Sequence, residues 1–251
     1  MKFHNVSLNS YPILLHHHGS RRWNKIGRQM SKDYFRHMDA EGIPGHKMGD
    51  NLTIITWDTR EDTKTHFECG LEKQGTFPVL KLAQGKEYCQ ELKVQELCNA
   101  LDTGLVTTEY VLCCDGYDVV MMDSPMEIVK RFEEQFDCDA LFNAEGWNHP
   151  PKDCPQDLTD FQHSAVPADN PYQFLNSGVM IAKTAFLKSI VSDLRNTKPY
   201  DRQDDQALWK MIYQKHYPRI QTDYLCKIFQ STAWSKKLEK NYPGMSEWEW
   251  V

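Results

Sequence analysis

The chain has 251 residues, 40% of them hydrophobic and 25% charged, which is enough to bury a core as one α/β domain or two small ones. Its formal net charge of −6 argues against broad nucleic-acid binding, which needs a basic surface, but is compatible with an anionic substrate held through a metal. The eight cysteines are scattered, so we expect reduced thiols rather than a disulfide framework. Because no apolar run reaches the roughly 18 residues of a membrane span and no signal peptide is recognisable, we expect a cytoplasmic protein without membrane contacts.

The stretch YPILLHHHGSRRW, residues 11–23, combines an apolar run with three histidines. Histidines directly after an apolar run are typical of metal ligands at the end of a strand. A surface histidine cluster is one alternative. The remnant of a purification tag is another, but tags usually carry more histidines and do not follow an apolar strand.

The Gly- and Pro-containing stretch EGIPGHKMGD, residues 41–50, predicts a linker. It follows a predicted helix at 24–38 and separates an N-terminal segment, residues 1–50, from a body, residues 51–251. In the body we predict strands at 52–57, 77–83, 110–114, 140–145, 178–182 and 224–230, and helices at 90–102, from Pro125, from Thr184 and at 203–216. This alternation predicts an α/β fold with a mostly parallel sheet covered on both faces, whose ligands bind beyond the carboxyl ends of the strands. Residues 148–170, rich in Pro, Asp and His, predict a long lid or a disordered loop.

The apolar run YVLCC leads directly into Asp115 and Asp118. Two carboxylates three residues apart in a tight turn at a strand end can converge on one hard cation, and oxygen ligands of this kind suit Mg²⁺ or Mn²⁺. The alternative is a solvated turn, because Asp and Gly are good turn formers.

Polar or aromatic residues border the predicted elements at three further places. They are Glu145 and Trp147 after one strand, Asn176, Ser177 and Gly178 before another, and Asp204, Asp205 and Gln206 in the first turn of a helix. Each group has a structural alternative, since Asn-Ser-Gly also makes an ordinary turn and acids in a first helical turn favour the helix dipole. A carboxylate in that turn is also placed to meet a substrate hydroxyl or amine.

The segments LKVQELCNAL, YVLCCDGYDV, SPMEIVKRFE, LFNAE, FLNSGVMIA, DDQALW and DYLCKIFQ occur in this order along the body. Together they resemble the glycosyltransferase domain of the procollagen lysyl hydroxylases and related collagen-type glycosyltransferases. The resemblance implies a Rossmann-like GT-A fold and a reaction that uses a UDP-sugar with Mn²⁺. It covers most of the chain from LTIITW to CKIFQ, and the ordered set is far more specific than any single segment.

The resemblance also implies roles for individual residues. Those expected at the metal and the nucleotide are Asp115 and Asp118 as metal ligands, Tyr117 against the uracil, Lys93 near the nucleotide, and Thr56, Trp57 and Asp58 at the nucleoside. Those expected at the sugar and the acceptor are Asn176, Ser177 and Gly178 beside the sugar, Asp204, Asp205 and Gln206 facing donor and acceptor, and Glu145 with Trp147 as a mobile gate. The spacing around the Trp is the least secure of these matches.

One element of the family pattern is missing from its usual place. Family members follow the IFQ strand with Pro, three apolar residues and a His that is the third metal ligand, then a Gly and a Lys, whereas this chain has no His after His216. The N-terminal segment carries the same pattern from Pro12 to His16, followed by Gly19, Arg21 and Arg22. We therefore hypothesise a circular permutation, in which the N-terminal strand replaces the family's C-terminal strand. His16 is then the third ligand, His17 is the alternative, and Gly19, Arg21 and Arg22 lie at the diphosphate.

The sequence thus predicts transfer of glucose or galactose from a UDP-sugar to a hydroxyl of a protein, a glycan, a small molecule or a modified base, with Mn²⁺ or Mg²⁺. One alternative is a sugar nucleotidyltransferase or nucleotide-sugar hydrolase on the same fold, although TWDTREDTKTHFE lacks the glycines expected after the first strand of a nucleotidyltransferase. Another is a non-catalytic module that binds a nucleotide-sugar, which the intact set of acids argues against. The hexose and the stereochemical outcome stay open.

Overall fold

The computed structural model of the protein describes residues 3–5, 8–17, 46–47, 51–202, 204–232 and 248–250. The helices are α1 His66–Gln74, α2 Glu91–Asp102, α3 Pro125–Gln135, α4 Gln156–Ser164, α5 Thr184–Ser189, α6 Val191–Asn196 and α7 Asp205–His216. The strands are β1 Phe3–Asn5, β2 Leu14–His16, β3 His46–Lys47, β4 Leu52–Trp57, β5 Gly75–Thr76, β6 Val79–Leu82, β7 Tyr110–Asp115, β8 Val119–Met121, β9 Ala140–Glu145, β10 Phe174–Lys183, β11 Ile220–Asp223, β12 Phe229–Ser231 and β13 Trp248–Trp250. Within these ranges, no helix is long and apolar enough to span a bilayer.

A six-stranded sheet in the order β11-β9-β10-β7-β4-β6 forms the centre of the molecule. Five strands run in the same direction, and β10 is antiparallel to both of its neighbours. One apolar core lies between the sheet and helices α2 and α5 to α7, and a second lies on the other face against α1, α3 and strand β2. Burial on both faces explains the continuous apolar runs of strands such as β7. The predicted α/β fold with a mostly parallel, doubly covered sheet is confirmed.

A smaller sheet places the N-terminal strand inside the fold. Strand β2 lies between β12, to which it is parallel, and β8, to which it is antiparallel. Arg131 fastens this arrangement, since its guanidinium donates to the backbone carbonyls of Tyr11 and Lys227 at 2.6 and 2.7 Å. His16 and His17 are 1% and 3% exposed, so the alternatives of a surface histidine cluster and a tag remnant are wrong.

Several predicted elements differ from the observed ones. The predicted loop at 148–170 contains helix α4, and the predicted strand at 224–230 is reduced to β12, with β11 added before it. Asn176 and Ser177 lie within β10 rather than in a turn before it, at a register shift between Asn176 and Met180. Helix α1, which begins with a capping box between Thr65 and Glu68, was not predicted. The predicted helix at 24–38 and most of the predicted linker lie outside the described residues.

Candidate active site

Two strand ends and one tight turn bring together a histidine and two carboxylates. Asp115 ends β7, Asp118 follows in the turn to β8, and His16 ends β2. The Nε2 atom of His16 lies 3.6 Å from Asp118 Oδ1 and 3.9 Å from Asp115 Oδ2. One ligand atom from each residue lies within 4.8 Å of the others. One imidazole nitrogen with two carboxylate oxygens is a donor set that suits a divalent cation such as Mn²⁺.

Asn176 determines which nitrogen of His16 faces the carboxylates. The Nδ1 atom of His16 lies 2.9 Å from Asn176 Oδ1, while the amide nitrogen of Asn176 donates to Glu145 Oε2 at 3.2 Å. The amide oxygen therefore faces the imidazole, so Nδ1 carries the proton and the Nε2 lone pair points toward Asp115 and Asp118. Burial alone lowers the pKa of His16, but the charges of Asp118, Asp115 and Glu145 outweigh it and raise that pKa overall. A cation at the site has to compete with this proton.

Gly178 makes room for the imidazole. A Cβ atom at this position would lie 2.1 Å from Cε1 and 2.6 Å from Nε2 of His16, which is far inside contact distance. The resemblance predicts that Gly178 lies beside the sugar, and the structure adds a steric role next to His16. The cradle around His16 and the nature of the donor atoms together fit a metal held by His16, Asp115 and Asp118.

Lys93 balances the negative charge beside the triad. Its Nζ atom donates to Asp115 Oδ1 at 2.6 Å and lies 3.7 Å from Asp205 Oδ1. Burial lowers the pKa of Lys93, but the charges of Asp115 and Asp205 outweigh it and hold that pKa above its ordinary value. Lys93 is therefore a fixed cation between the start of α7 and the turn of residues 115–118, which is called the metal turn below because it carries the two candidate ligands Asp115 and Asp118.

A cavity of about 400 Å³ opens beside the metal turn. It is lined by Trp57, Asp58, Thr59, Arg60, Tyr88, Gln90, Lys93, Asp115, Gly116, Tyr117 and Asp118. Six predicted site residues thus converge there: Trp57, Asp58, Lys93, Asp115, Tyr117 and Asp118. Thr56 is buried behind the turn instead, with its hydroxyl donating to the Cys114 carbonyl at 2.9 Å.

Arg60, Tyr88 and Gln90 line this cavity and were not singled out from the sequence. The guanidinium of Arg60 lies 4.5 Å from the centre of the Tyr117 ring, and its Nε donates to Asp58 Oδ1 at 3.2 Å. The Tyr117 hydroxyl donates to the other oxygen of Asp58 at 2.6 Å. The position of Arg60 just after strand β4 could have identified it as a site residue from the sequence. No local sequence pattern identifies Tyr88 in this way.

A chain of hydrogen bonds links helix α7 to the metal triad. The Gln206 amide donates to Glu145 Oε1 at 2.6 Å and accepts from the Ser177 backbone at 3.0 Å. Glu145 in turn holds Asn176, which holds His16. The structure therefore brings together the predicted residues Glu145, Asn176, Ser177 and Gln206, and it connects them to His16.

The two acids at the start of α7 have different surroundings. Asp204 caps the helix by accepting a hydrogen bond from the backbone N–H of Gln206 at 2.9 Å. Its other carboxylate oxygen pairs with His149 Nε2, also at 2.9 Å. Burial acts to raise the pKa of Asp204, but these two hydrogen bonds hold it below its ordinary value. Burial, together with the charges of Asp115 and Asp204, raises the pKa of Asp205 against the opposing effect of Lys93. Asp204 is thus the N-cap residue of α7 and lies just before the first turn, in which the sequence pattern had placed it.

A second cavity, of about 720 Å³, lies on the other side of these acids. It is lined by Glu91, Val94, Gln95, Cys98, Leu194, Arg195, Thr197, Lys198, Pro199, Arg202, Asp204, Asp205 and Leu208. Both cavities have volumes in the range of small-molecule sites. Asp205 lines the larger cavity and lies next to Lys93 of the smaller one, so the two cavities adjoin at this pair.

The remaining predicted residues fall outside this arrangement. Trp147 is 43% exposed and lines neither of the two cavities. The Nδ1 atom of His17 lies 2.6 Å from the hydroxyl of Thr232, so His16 is the histidine that meets the acids. Gly19, Arg21 and Arg22 lie outside the described residues.

Replacing Gly178 with Ala is expected to displace the His16 ring and to lower Mn²⁺ affinity about 10-fold or more, as loss of ligand orientation does elsewhere. Isothermal titration calorimetry measures the affinity, with circular dichroism as a check on folding. Gly104→Ala is the control, because a Cβ there meets nothing within 4 Å, while its φ of +74° strains Ala and so reports the effect of a general loss of stability that leaves the His16 ring in place. Unchanged Mn²⁺ binding in Gly178→Ala would contradict the assignment of His16.

Replacing Asn176 with Ala removes the acceptor of the His16 Nδ1 proton and is expected to weaken Mn²⁺ binding on the order of 10-fold. The ¹⁵N chemical shifts of the His16 ring report the tautomer independently of affinity. Gln173→Ala, at a half-buried position just before β10, serves as the control. A His16 ring that keeps its proton on Nδ1 in Asn176→Ala would refute the orienting role.

The model of the family described as "PLOD GT domain" matches residues 81–242 of this chain. Procollagen-lysine,2-oxoglutarate 5-dioxygenase 2 of Mus musculus is 28% identical over 206 residues, which are 76% of this chain and 26% of that protein. Procollagen-lysine,2-oxoglutarate 5-dioxygenase 1 of Mus musculus is 25% identical over 199 residues, which are 74% of this chain and 26% of that protein. The chain therefore spans about a quarter of the length of these curated relatives.

The crystal structure of mouse xyloside xylosyltransferase 1 in its apo form is similar over 54% of this chain and 49% of that chain, with 17% identity and a TM-score of 0.29. This similarity is too partial to carry an argument. The match to the family model covers the helix with Lys93, the metal turn, the bulged strand and the acidic helix start. The resemblance inferred from the sequence is confirmed, and the chain belongs to the family of PLOD glycosyltransferase domains.

Proposed function

We propose that the chain transfers a hexose, glucose or galactose, from a UDP-sugar to an acceptor hydroxyl, in a reaction that depends on Mn²⁺ or Mg²⁺. The observation that carries this proposal is the convergence of His16, Asp115 and Asp118 at the edge of a cavity of about 400 Å³ lined by aromatic side chains. A divalent cation bound by these three residues supplies a Lewis acid that neutralises charge on the UDP leaving group.

The donor cavity has groups suited to each part of a nucleotide. Trp57 and Tyr88 offer aromatic faces to the base, and Tyr117 is held in place by its hydrogen bond to Asp58. Lys93 and Arg60 supply positive charge near the phosphates. Because Lys93 already pairs with the half-buried Asp115 and the buried Asp205, its main effect is to keep Asp115 from repelling the diphosphate.

The cavity of about 720 Å³ is the proposed place for the acceptor, since Asp204 and Asp205 line it next to the donor site. In the transfer, the acceptor oxygen forms a bond to the anomeric carbon and the bond from that carbon to the diphosphate breaks, with its electron pair leaving on UDP. Asp205, with its raised pKa, is the better proton acceptor of the two. Asp204, with its lowered pKa, is better suited to orient a hydroxyl by accepting its hydrogen bond.

The circular permutation is also a proposal. It is supported by the position of β2, which lies parallel to β12 and delivers His16 beside the two acids. A strand that follows β12 in the family pattern would have to occupy the same place to supply its His. Residues 1–50 would then complete the site that residues 51–251 carry.

We expect Asp118→Ala to lower UDP release from UDP-glucose and UDP-galactose by about 100-fold or more, because removal of a metal ligand forfeits several kcal/mol of charge stabilisation. The assay measures UDP with and without Mn²⁺, and circular dichroism confirms folding. Asp137→Ala, at an exposed acid away from the site, should behave as the wild type. Turnover by Asp118→Ala at the wild-type rate would overturn the metal assignment, and absence of turnover in the wild type would overturn the proposed function.

We expect Gln95→Trp to obstruct the larger cavity and to lower transfer at least about 10-fold, with hydrolysis of the UDP-hexose by water unchanged, since the donor cavity is separate. Gln95 is exposed on α2, so the indole enters the cavity without disturbing the core. Mass spectrometry of products formed in host extract first identifies an acceptor and then measures both rates. Glu134→Trp, at an exposed position of α3, is the control; equal loss of both rates in Gln95→Trp would count against an acceptor site here.

A further inference from the structure

His149 forms an ion pair that neither the family pattern nor the proposed reaction assigns. Its Nε2 atom lies 2.9 Å from Asp204 Oδ2, at the point where Asp204 lines the larger cavity. The other carboxylate oxygen of Asp204 accepts from the Gln206 backbone at 2.9 Å. With both oxygens engaged, the carboxylate has a single orientation, and His149 supplies half of that restraint.

The backbone around His149 is also held by helix α7. Its carbonyl oxygen accepts from the Gln206 side chain at 2.6 Å and from the ammonium of Lys210. Lys210 in addition donates to Asn148 Oδ1 at 2.7 Å. Gln206 and Lys210, one turn apart on helix α7, together with its N-cap Asp204, therefore hold residues 148 and 149.

We propose that His149 is a positioning residue, which holds the loop of residues 146–155 against the start of α7 and fixes the Asp204 carboxylate in the wall of the larger cavity. The loop follows directly from Glu145, which bonds to Asn176 and Gln206 in the sugar-side network. Release of His149 thus loosens both the wall of the acceptor cavity and the chain segment that leaves the donor site. The consequence for transfer rests on the proposed function, whereas the restraint itself does not.

The charges around His149 make this restraint depend on pH. Asp204 and Glu145 favour the charged imidazole and raise the pKa of His149, while burial and Lys210 act in the opposite direction. The stabilisation that the His149–Asp204 pair gives to the folded state is thus complete below the unfolded pKa of 6.5. It is lost as the pH rises through the higher pKa of His149 in the folded state. Burial lowers the pKa of Lys210 to about 8. Because the unfolded chain binds this proton more tightly, the contribution of Lys210 to stability rises rather than falls as the pH passes 8, opposite to the effect of His149.

Hydrogen exchange of peptides from residues 146–155, corrected for intrinsic rates, measures the restraint without any substrate. In His149→Ala we expect protection at pH 6 to fall about two- to fivefold, the range for a partly exposed ion pair. His149→Gln keeps a donor for Asp204 and should retain most of the protection, but without the change in protection between pH 6 and 7.5. His216→Ala removes a similar pair with Asp193, at 2.8 Å and at the far end of α7, and should leave these peptides unchanged.

Titration by NMR tests the pair itself, because the His149 ring should titrate above 6.5 in the wild type and closer to 6.5 in Asp204→Asn. In steady-state assays, His149→Ala should lower the kcat of transfer and leave Mn²⁺ affinity and the KM for the UDP-hexose unchanged.

The inference is overturned if His149→Ala leaves loop protection unchanged, if His216→Ala lowers it equally, or if Asp204→Asn does not shift the titration. Hydrogen exchange and the NMR titration test whether His149 restrains the loop even if the protein turns over no UDP-hexose. Absence of turnover would count against the proposed function alone.

Discussion

The hydrogen bond between His16 Nδ1 and Asn176 Oδ1 is the contact on which the site depends. It joins residues 160 positions apart, one at the end of the N-terminal strand and one in the bulge of β10. Both residues are buried, so water does not replace a lost partner. The bond turns Nε2 toward Asp115 and Asp118, and the approach it requires is possible only because Gly178 carries no side chain.

The bulge in β10 explains how one strand serves both the core and the site. On either side of the register shift, β10 pairs with β9 and its side chains are buried. At the shift, Asn176 bonds to Glu145 and His16 while the Ser177 backbone bonds to Gln206. Bulges re-aim side chains beside active sites in many sheets. Here the bulge connects His16 on one side with the acidic helix on the other.

Local patterns in the sequence were sufficient for most of the sheet and for the metal turn. The apolar run before Asp115 placed both acids at a strand end, and Ser124 caps the predicted helix through the Met126 amide at 3.2 Å. Local patterns failed where distant segments determine structure. Helix α4 lies within a Pro- and Asp-rich stretch, and its burial of Leu158 and Gln162 against the body was not visible in the composition of that stretch.

The amino-acid sequence alone determines which chemical groups end each strand, because apolar runs and turn residues define strand ends through interactions over a few positions. Together with the family pattern, the sequence favoured His16 as the proposed third metal ligand and left His17 as the alternative. Successive side chains of a strand point to opposite sides, so the pairing of β2 with β8 and β12 selects His16 for the acids and turns His17 toward Thr232. The partners of Asp204 and Asn176 were likewise settled by packing, since each contact joins segments that only the folded chain brings within hydrogen-bond distance.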